Sequence, residues 1–199
     1  MVLTMALSLP DKNTGWRDWH VPLAHDHFTL EEILASAMHE QAAQNDVPLI
    51  VQLIENPKFE VPWITLFNGA VNLADHDGIH ALLGQGFLPK DEAFVIGVTM
   101  GSSNRTNTLV QRLYAWASKY LYPGPYKFSD EDAQVFKDAV HLGYVSDCIP
   151  LNTSDFSKSL AKAVNTIRAE PDIETDLIES YFHLENRRYP ESNASQHLL

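Results

Sequence analysis

The amino-acid sequence predicts an all-α fold, a single compact domain of six to eight helices over residues 1–199. Apolar residues recur along the chain at the three- and four-residue spacings of amphipathic helices. Capping residues and clusters of proline or glycine separate these segments, as they do between helices. A chain of 199 residues is long enough for one well-packed core and short for two domains, and it carries no fixed-period repeat.

The chain is strongly acidic, with 26 Asp and Glu against 14 Lys and Arg and a formal net charge of −12. Such a chain repels phosphate backbones, and no stripe of Lys and Arg offsets this, so nucleic acid is excluded as a partner. A broad polybasic membrane footprint is excluded for the same reason.

A single cysteine, Cys148, excludes an intramolecular disulfide and a cysteine zinc cluster, and we expect a buried thiol rather than a nucleophile. No apolar run approaches the roughly 20 residues that span a bilayer. The first ten residues lack the basic region of a signal peptide and the arginines of a transit peptide. We therefore expect a cytoplasmic protein.

The first predicted helix follows an irregular N-terminal arm of about residues 1–28. Thr29 and Glu32 have the spacing of a capping box, in which each side chain accepts a hydrogen bond from the other residue's backbone N–H. This pattern predicts a helix over about residues 29–43. A short helix over residues 46–56 is expected next, with a proline in its first turn, where a missing N–H does no harm.

Two predicted helices joined by a glycine-rich turn occupy the middle of the chain. The first covers residues 61–83, and Gly84 and Gly86 end it because glycine adopts the left-handed conformation of a C-cap. The second covers residues 89–101. Its β-branched run over residues 94–98 would also suit a strand, so the type of this element stays open.

The C-terminal half is predicted to hold four more helices. They cover residues 105–122, 129–143, about 153–169 and 174–184. Ser129 caps the second of these, followed by acidic residues that suit the positive end of a helix dipole, and Gly143 ends it. A polar tail of about residues 186–199 is expected to follow the last helix.

Two histidines one helical turn apart form the most informative motif in the chain. His76 and His80 project from one helix face, so their imidazoles can bind one divalent metal. Zinc is the expected metal because it readily accepts nitrogen ligands. Glu92 begins the next helix and would supply a third ligand if the glycine turn lets the two helices fold back. A solvated polar face would show the same spacing, but this motif interrupts an apolar helix, where polar groups need partners.

The neighbours of the two histidines have several roles open to them. Asp77 is predicted as a fourth metal ligand, as a partner orienting an imidazole N–H, or as the catalytic general base for a metal-bound water. Asp75 is a second candidate for the orienting role. Gly78 costs about 1 kcal/mol inside a helix relative to alanine. This cost indicates either that a ligand or another backbone approaches closely there or that the helix has a harmless kink.

The string of His76, Asp77, two further residues and His80, with Glu92 twelve positions later, resembles the signature HDxxHx11E of the Coq4 family of ubiquinone-biosynthesis proteins. The spacing matches without a gap. Residues 136–151 resemble the C-terminal half of that family more softly, so the resemblance extends loosely over about residues 61–169. The first sixty residues do not align.

The resemblance implies a helical protein that binds a divalent metal through the four residues of the motif and holds a prenylated lipid in an apolar cavity. It implies that the protein acts on, or presents, a prenylated aromatic precursor, with decarboxylation and hydroxylation of the ring carbon that bears the carboxylate. Other quinone-biosynthesis proteins are the implied partners, with a homodimer and peripheral contact with the inner membrane as further options. The lack of a transit peptide suits a bacterial member.

Two alternatives use the same residues. HDxxH differs from the zincin motif HExxH by one methylene, so a metallohydrolase would bind zinc through His76, His80 and Glu92 and use Asp77 as its base. A non-catalytic lipid carrier or scaffold would instead use aromatic side chains to line a cavity, although such residues at helical spacing are more often plain core. The candidate aromatics are Trp63, Phe67, Phe87, Phe94, Trp116 and Tyr120.

Weaker candidates lie elsewhere in the chain. His25 and His27 flank Asp26 and form a minor second metal candidate in a loop before the Thr29 cap. Residues 101–105 combine small side chains with an arginine before a helix, which would suit either an anion or an ordinary cap. Packing or surface placement is expected for His39, His141 and His183.

Overall fold

Helices account for the regular structure of the described part of the chain. The computed structural model describes residues 8–10, 15, 17–37, 73–103 and 127–199. Within them lie α1 (Leu30–Ala37), α2 (Leu73–Leu83), α3 (Pro89–Ser102), α4 (Asp130–Val145), α5 (Val164–Ala169), α6 (Thr175–Arg188) and α7 (Asn193–Gln196). Two short 3-10 helices, Leu151–Thr153 and Phe156–Lys158, lie between α4 and α5. Seven α-helices without a strand in these ranges confirm the all-α fold class, and α3 is a helix rather than the strand that its sequence also allowed.

Both predicted N-terminal capping patterns are present. The Glu32 N–H donates to Thr29 Oγ1 at 3.2 Å, and the Thr29 N–H donates to Glu32 Oε2 at 2.9 Å. At the start of α4, the Asp132 N–H donates to Ser129 Oγ at 3.1 Å, and the Ser129 N–H donates to Asp132 Oδ2 at 2.7 Å. Each pair satisfies two N–H groups that the helix itself leaves without partners.

Close packing of α3 on α4 forms the centre of the described core. A Cβ at Gly97 would lie 2.7 Å from the Phe136 carbonyl oxygen, and one at Gly101 would lie 2.2 Å from the Val140 carbonyl oxygen. The two helices therefore run in the same direction in backbone contact. Gly143 was predicted to end α4, and this is wrong: the helix continues to Val145. A Cβ at Gly143 would lie 2.4 Å from a carbonyl oxygen of α3, so this glycine serves the helix contact instead.

The helix predicted over residues 153–169 is confirmed only from Val164 to Ala169, and its first half is wrong. A 3-10 turn and an extended stretch replace its first half, and α5 begins only at Val164. The extended stretch completes the start of α1: the Leu30 N–H donates to the Lys162 carbonyl oxygen at 3.1 Å, and the following N–H donates to a carbonyl two residues before Lys162 at 2.9 Å. A helix through these residues would keep those carbonyl groups for its own bonds, so tertiary pairing decides the outcome here.

The polar tail predicted over residues 186–199 is folded. Helix α6 continues to Arg188, and α7 follows after a short turn. Ser195 Oγ donates to Glu185 Oε1 at 2.9 Å, and Leu198 is 3% exposed. The tail was predicted from its polarity, but buried hydrogen bonds and one apolar anchor are enough to fix it against the helices.

Two of the remaining predictions can be compared with the structure, and others fall on residues outside the described ranges. Cys148 is buried, as predicted. None of the described helices combines the length and the apolar character needed to cross a membrane. The predicted helices over residues 46–56 and 105–122, and the first part of the one over residues 61–83, lie outside the described residues.

Candidate metal centre

The turn between α2 and α3 brings the motif residues to one place. Gly84 has φ of +65°, the left-handed conformation that ends a helix, so the prediction is confirmed for Gly84. It is wrong for Gly86, which does not have a positive φ. Helix α3 then begins with the Leu88 N–H donating to Asp91 Oδ2 at 2.9 Å. The next residue, Glu92, therefore lies in the first turn of α3, and its side chain faces the end of α2.

Three side chains converge across this turn. One ligand atom from each of His76, His80 and Glu92 lies within 4.8 Å of the other two, and this is the one such group of three or more His, Cys, Asp or Glu residues among the described residues. His76 Nε2 lies 3.6 Å from Glu92 Oε2, and His80 Nε2 lies 3.3 Å from Glu92 Oε1. The imidazole centroids are 4.7 Å apart. The spacing in the sequence thus predicted a set of residues that the fold does bring together.

The protonation of His80 is set by a backbone carbonyl. His80 Nδ1 lies 2.7 Å from the Gly86 carbonyl oxygen, which can only accept, so Nδ1 carries a proton and donates it. In the neutral ring, Nε2 then presents a lone pair toward the Glu92 carboxylate. Two acceptors at 3.3 Å repel each other unless a cation, either a proton or a metal ion, lies between them.

The polar atoms at this point are buried and lack hydrogen-bond partners in the described structure. They are Nε2 of His76, Nε2 of His80 and Oε2 of Glu92. Burial by itself would lower the pKa of His80, but the Glu92 carboxylate, with smaller contributions from Asp77 and the Gly86 carbonyl, outweighs this and raises it. Burial likewise would raise the pKa of Glu92, but the two imidazoles outweigh this and lower it. The site therefore favours a carboxylate together with a positive charge, and a divalent ion would meet both demands.

Asp77 lies outside the convergent set. Its Oδ1 is 4.0 Å from His76 Nδ1, whereas the other ring nitrogen of His76 faces Glu92. This position suits the orienting role among the three roles open to Asp77, because a carboxylate near Nδ1 favours a proton there and leaves Nε2 free to bind. Its roles as ligand and as general base stay predictions.

Asp75 and Gly78 serve the packing of a distant aromatic residue. Asp75 Oδ1 accepts a hydrogen bond from the Phe156 N–H at 3.0 Å, rather than one from an imidazole. A Cβ at Gly78 would lie 3.2 Å from Phe156 Cδ2. The close approach inferred at Gly78 exists, but the approaching group is an aromatic ring, not a ligand or another backbone.

Arg168 binds the C-terminal end of α2, the helix that carries His76 and His80, and the sequence did not predict this contact. Its Nε donates to the Leu82 carbonyl oxygen and its Nη1 donates to the Leu23 carbonyl oxygen, both at 2.8 Å. Burial lowers the pKa of Arg168 to about 10, so it stays positive at neutral pH. A buried cation at a helix C-terminus complements both the free carbonyl groups and the dipole. A separation of 86 residues between Leu82 and Arg168 leaves no local signal in the sequence.

Aromatic packing closes one side of the site. Phe87 stacks on Trp19 at a centroid distance of 4.4 Å and lies 5.1 Å from the His80 ring. Phe94 is fully buried and packs on α6. Two of the aromatics considered for a lipid cavity are thus packed against other side chains. The other four, Trp63, Phe67, Trp116 and Tyr120, lie outside the described residues.

The structure adds no support for a second metal site or for an anion site at the weaker candidate positions among the described residues. His25 and His27 lie in an irregular segment before α1, and neither belongs to a convergent group of three ligands within the described residues. His141 and His183 are exposed on α4 and α6, as expected. In the proposed anion site, residues 101–103 form the end of α3, and the rest lies outside the described residues, as does His39.

Comparison with known proteins gave no match, whether to family models, to curated proteins or to solved structures. Any functional conclusion therefore depends on the motif and on the geometry of these three side chains.

Proposed function

We propose that the protein binds one divalent metal ion, zinc in the first instance, through His76, His80 and Glu92. The observation that carries this proposal is the convergence of three buried polar atoms that lack hydrogen-bond partners. The donor set fits: two imidazoles and one carboxylate are common zinc ligands, and three protein ligands leave a position open for substrate or water. When bound, the metal would act as a Lewis acid toward an oxygen of the substrate.

The ligand set also suggests the charge of the substrate. Two neutral imidazoles and one carboxylate leave a divalent ion with a net positive charge, which favours an anionic oxygen in the open position. His80 is held in the correct tautomer by the Gly86 carbonyl, and Asp77 lies where it can orient His76. An aromatic acid, with its carboxylate and ring hydroxyl oxygens, is a substrate class that such a site would favour.

We further propose that the protein is Coq4-like and acts on, or presents, a prenylated aromatic precursor in quinone biosynthesis. The match of this chain to the spacing HDxxHx11E supports this proposal. A second support is that three of the four motif residues lie together, as a shared metal site requires. The apolar flank provided by Phe87 and Trp19 is compatible with a substrate that carries a ring.

Elemental analysis of the purified, untagged protein tests the metal site. We expect one equivalent of divalent metal in the wild type, after incubation with zinc if needed, and its loss in His80→Ala. His183→Ala is the matched control, because it removes an exposed histidine from α6 and should keep the metal. Full metal content in His80→Ala would place the site elsewhere, and no metal in any of the three proteins would overturn the proposal.

Mass spectrometry of lipid extracts from the same preparations tests the substrate class. A protein of quinone biosynthesis, whether enzyme or carrier, should co-purify with polyprenylated aromatic compounds. A zincin-like hydrolase should not, and it should lose its activity in Asp77→Asn. Extracts free of prenylated compounds from a protein that holds its metal would contradict the quinone proposal and leave the metal site standing.

A further inference from the structure

The C-terminal segment packs against the turn that carries the metal ligands. His197 lies beside the first turn of α3, where its Nε2 donates to Asp91 Oδ1 at 3.4 Å. Asp91 is 2% exposed and immediately precedes Glu92. Its other carboxylate oxygen accepts the Leu88 N–H at 2.9 Å. The side chain of Asp91 therefore joins His197 to the backbone from which Glu92 projects.

A second imidazole completes the contact. His20 stacks on His197 with ring centroids 4.1 Å apart and planes 11° apart. His20 Nε2 donates to the Gly84 carbonyl oxygen at 3.1 Å, on the same turn between α2 and α3. Burial, with a smaller contribution from His197, lowers the pKa of His20 to about 3, so this ring is neutral at physiological pH. The two stacked rings thus reach both ends of the turn.

We infer that His197 is a positioning residue for the candidate metal centre, acting through Asp91 on Glu92. This inference rests on the proposed metal site. The hydrogen bond of His197 holds the Asp91 carboxylate on the α3 cap, and the cap fixes the first turn of the helix. Glu92 must aim at two imidazoles within a few tenths of an ångström, so a loosened first turn would weaken metal binding.

The docking of the tail does not itself depend on the His197 ring. Leu198 is 3% exposed in the core, and Ser195 bonds to the buried Glu185 carboxylate. Lys90 Nζ donates to Ser192 Oγ at 2.9 Å. These contacts hold the segment without His197, whose side chain is 24% exposed. A role in packing alone would therefore predict little effect when the ring is kept and only its hydrogen bond is lost.

Two substitutions separate the hydrogen bond from the ring. His197→Phe keeps an aromatic ring against His20 but cannot donate to Asp91. His197→Gln loses the ring but places an N–H donor at a similar distance. His183→Phe makes the same change at an exposed position of α6 and serves as the matched control. Cobalt(II) is the probe, because its visible absorption reports ligand geometry and its titration gives a dissociation constant.

We expect His197→Phe to bind cobalt(II) about tenfold more weakly, the lower end of the effect of residues that support metal ligands, with an altered absorption spectrum. His197→Gln should bind cobalt(II) with an affinity within about twofold of the wild type, because its side-chain N–H can still donate to Asp91. Unchanged affinity and spectrum in His197→Phe would overturn the inference, as would equal weakening in His197→Gln. A wild type that binds no cobalt(II) would instead overturn the proposed metal site, and this inference with it.

Discussion

The Phe156 N–H donates to the Asp75 carboxylate at 3.0 Å, across 81 residues of sequence. The same residue places its ring against Gly78, so both polar and apolar parts of Phe156 are fitted to the helix that carries His76 and His80. Asp75 and Gly78, which the sequence suggested as parts of the metal site, are therefore residues whose contacts with Phe156 fix the position of α2.

The contact at Gly78 predicts a specific coupling. Gly78→Val should lower the free energy of unfolding by about 1–3 kcal/mol, because the added methyl groups collide with the ring of Phe156. In a Phe156→Ala background the same change should be neutral or slightly stabilising, since valine is a better helix former than glycine. Urea unfolding of the four proteins measures the coupling, and equal costs in both backgrounds would contradict it.

Replacement of Arg168 should destabilise the protein even when the charge is kept. Arg168→Lys cannot reach two backbone carbonyl groups in the fixed geometry of a guanidinium, so we expect a loss of about 2–3 kcal/mol in the free energy of unfolding. Arg187→Lys, at an exposed site on α6, is the control and should change little. Denaturant titration distinguishes the two, and near-equal midpoints would argue against the role of Arg168.

The buried Glu185 predicts that stability falls as the pH rises. Burial raises the pKa of Glu185 from 4.5 to about 7, so the folded protein holds this proton more tightly than the unfolded chain does. The unfolded chain loses its proton first as the pH rises past 4.5, and stability declines until the folded carboxyl ionises near pH 7. The two values correspond to about 3 kcal/mol that is present below pH 4.5 and lost above pH 7.

Glu185→Gln should remove this dependence. The amide keeps the shape and an acceptor for Ser195 Oγ, so we expect a more stable protein at pH 8 and a flatter profile between pH 5 and pH 8. The exposed Glu179→Gln on α6 is the matched control. Thermal or urea unfolding across this pH range provides the measurement, and parallel profiles for wild type and Glu185→Gln would refute the prediction.

Cys148 should react slowly with thiol reagents. Burial, with contributions from Asp172 and Glu174, raises the pKa of its thiol from 9.0 to about 11, which leaves about a hundredfold less thiolate at pH 8. A thiol placed on the surface by His141→Cys in a Cys148→Ser background should react at the ordinary rate. Fast labelling of folded wild type would instead reopen a nucleophilic role for Cys148.

The parts of this fold that the sequence predicts are those whose causes lie within a few residues. The Thr29 and Ser129 caps depend on a partner three positions away, and both were confirmed. His76, His80 and Glu92 lie within one helix, one turn and the start of the next helix, so their spacing in the sequence was enough to predict that they converge. Helix α3 is buried on almost all sides, and an apolar run of this kind does not distinguish a buried helix from a buried strand, so the sequence left its type open.

The parts that the sequence does not predict depend on contacts across the chain. A glycine such as Gly143 often ends a helix, but this one lies inside α4. Its missing side chain allows the backbone of α3 to pack in direct contact with it. Residues before Val164 were predicted as helix from their apolar spacing, but their carbonyl groups pair with the start of α1. Arg168 and His197 contact the turn after α2 from far along the sequence, and nothing near either residue marks them out.

The distance along the sequence between the proposed metal ligands and His197 has a consequence for the synthesis of the protein on the ribosome. His76, His80 and Glu92 fall within one short stretch, whereas His197 follows Asp91 by 106 residues. A ribosome that adds about 5–20 residues per second needs about 5–20 s to cover that distance. For that interval the nascent chain carries the three proposed ligands without His197. On the proposed role of His197, firm retention of a metal ion would therefore come late in synthesis, after His76, His80 and Glu92 have left the ribosome.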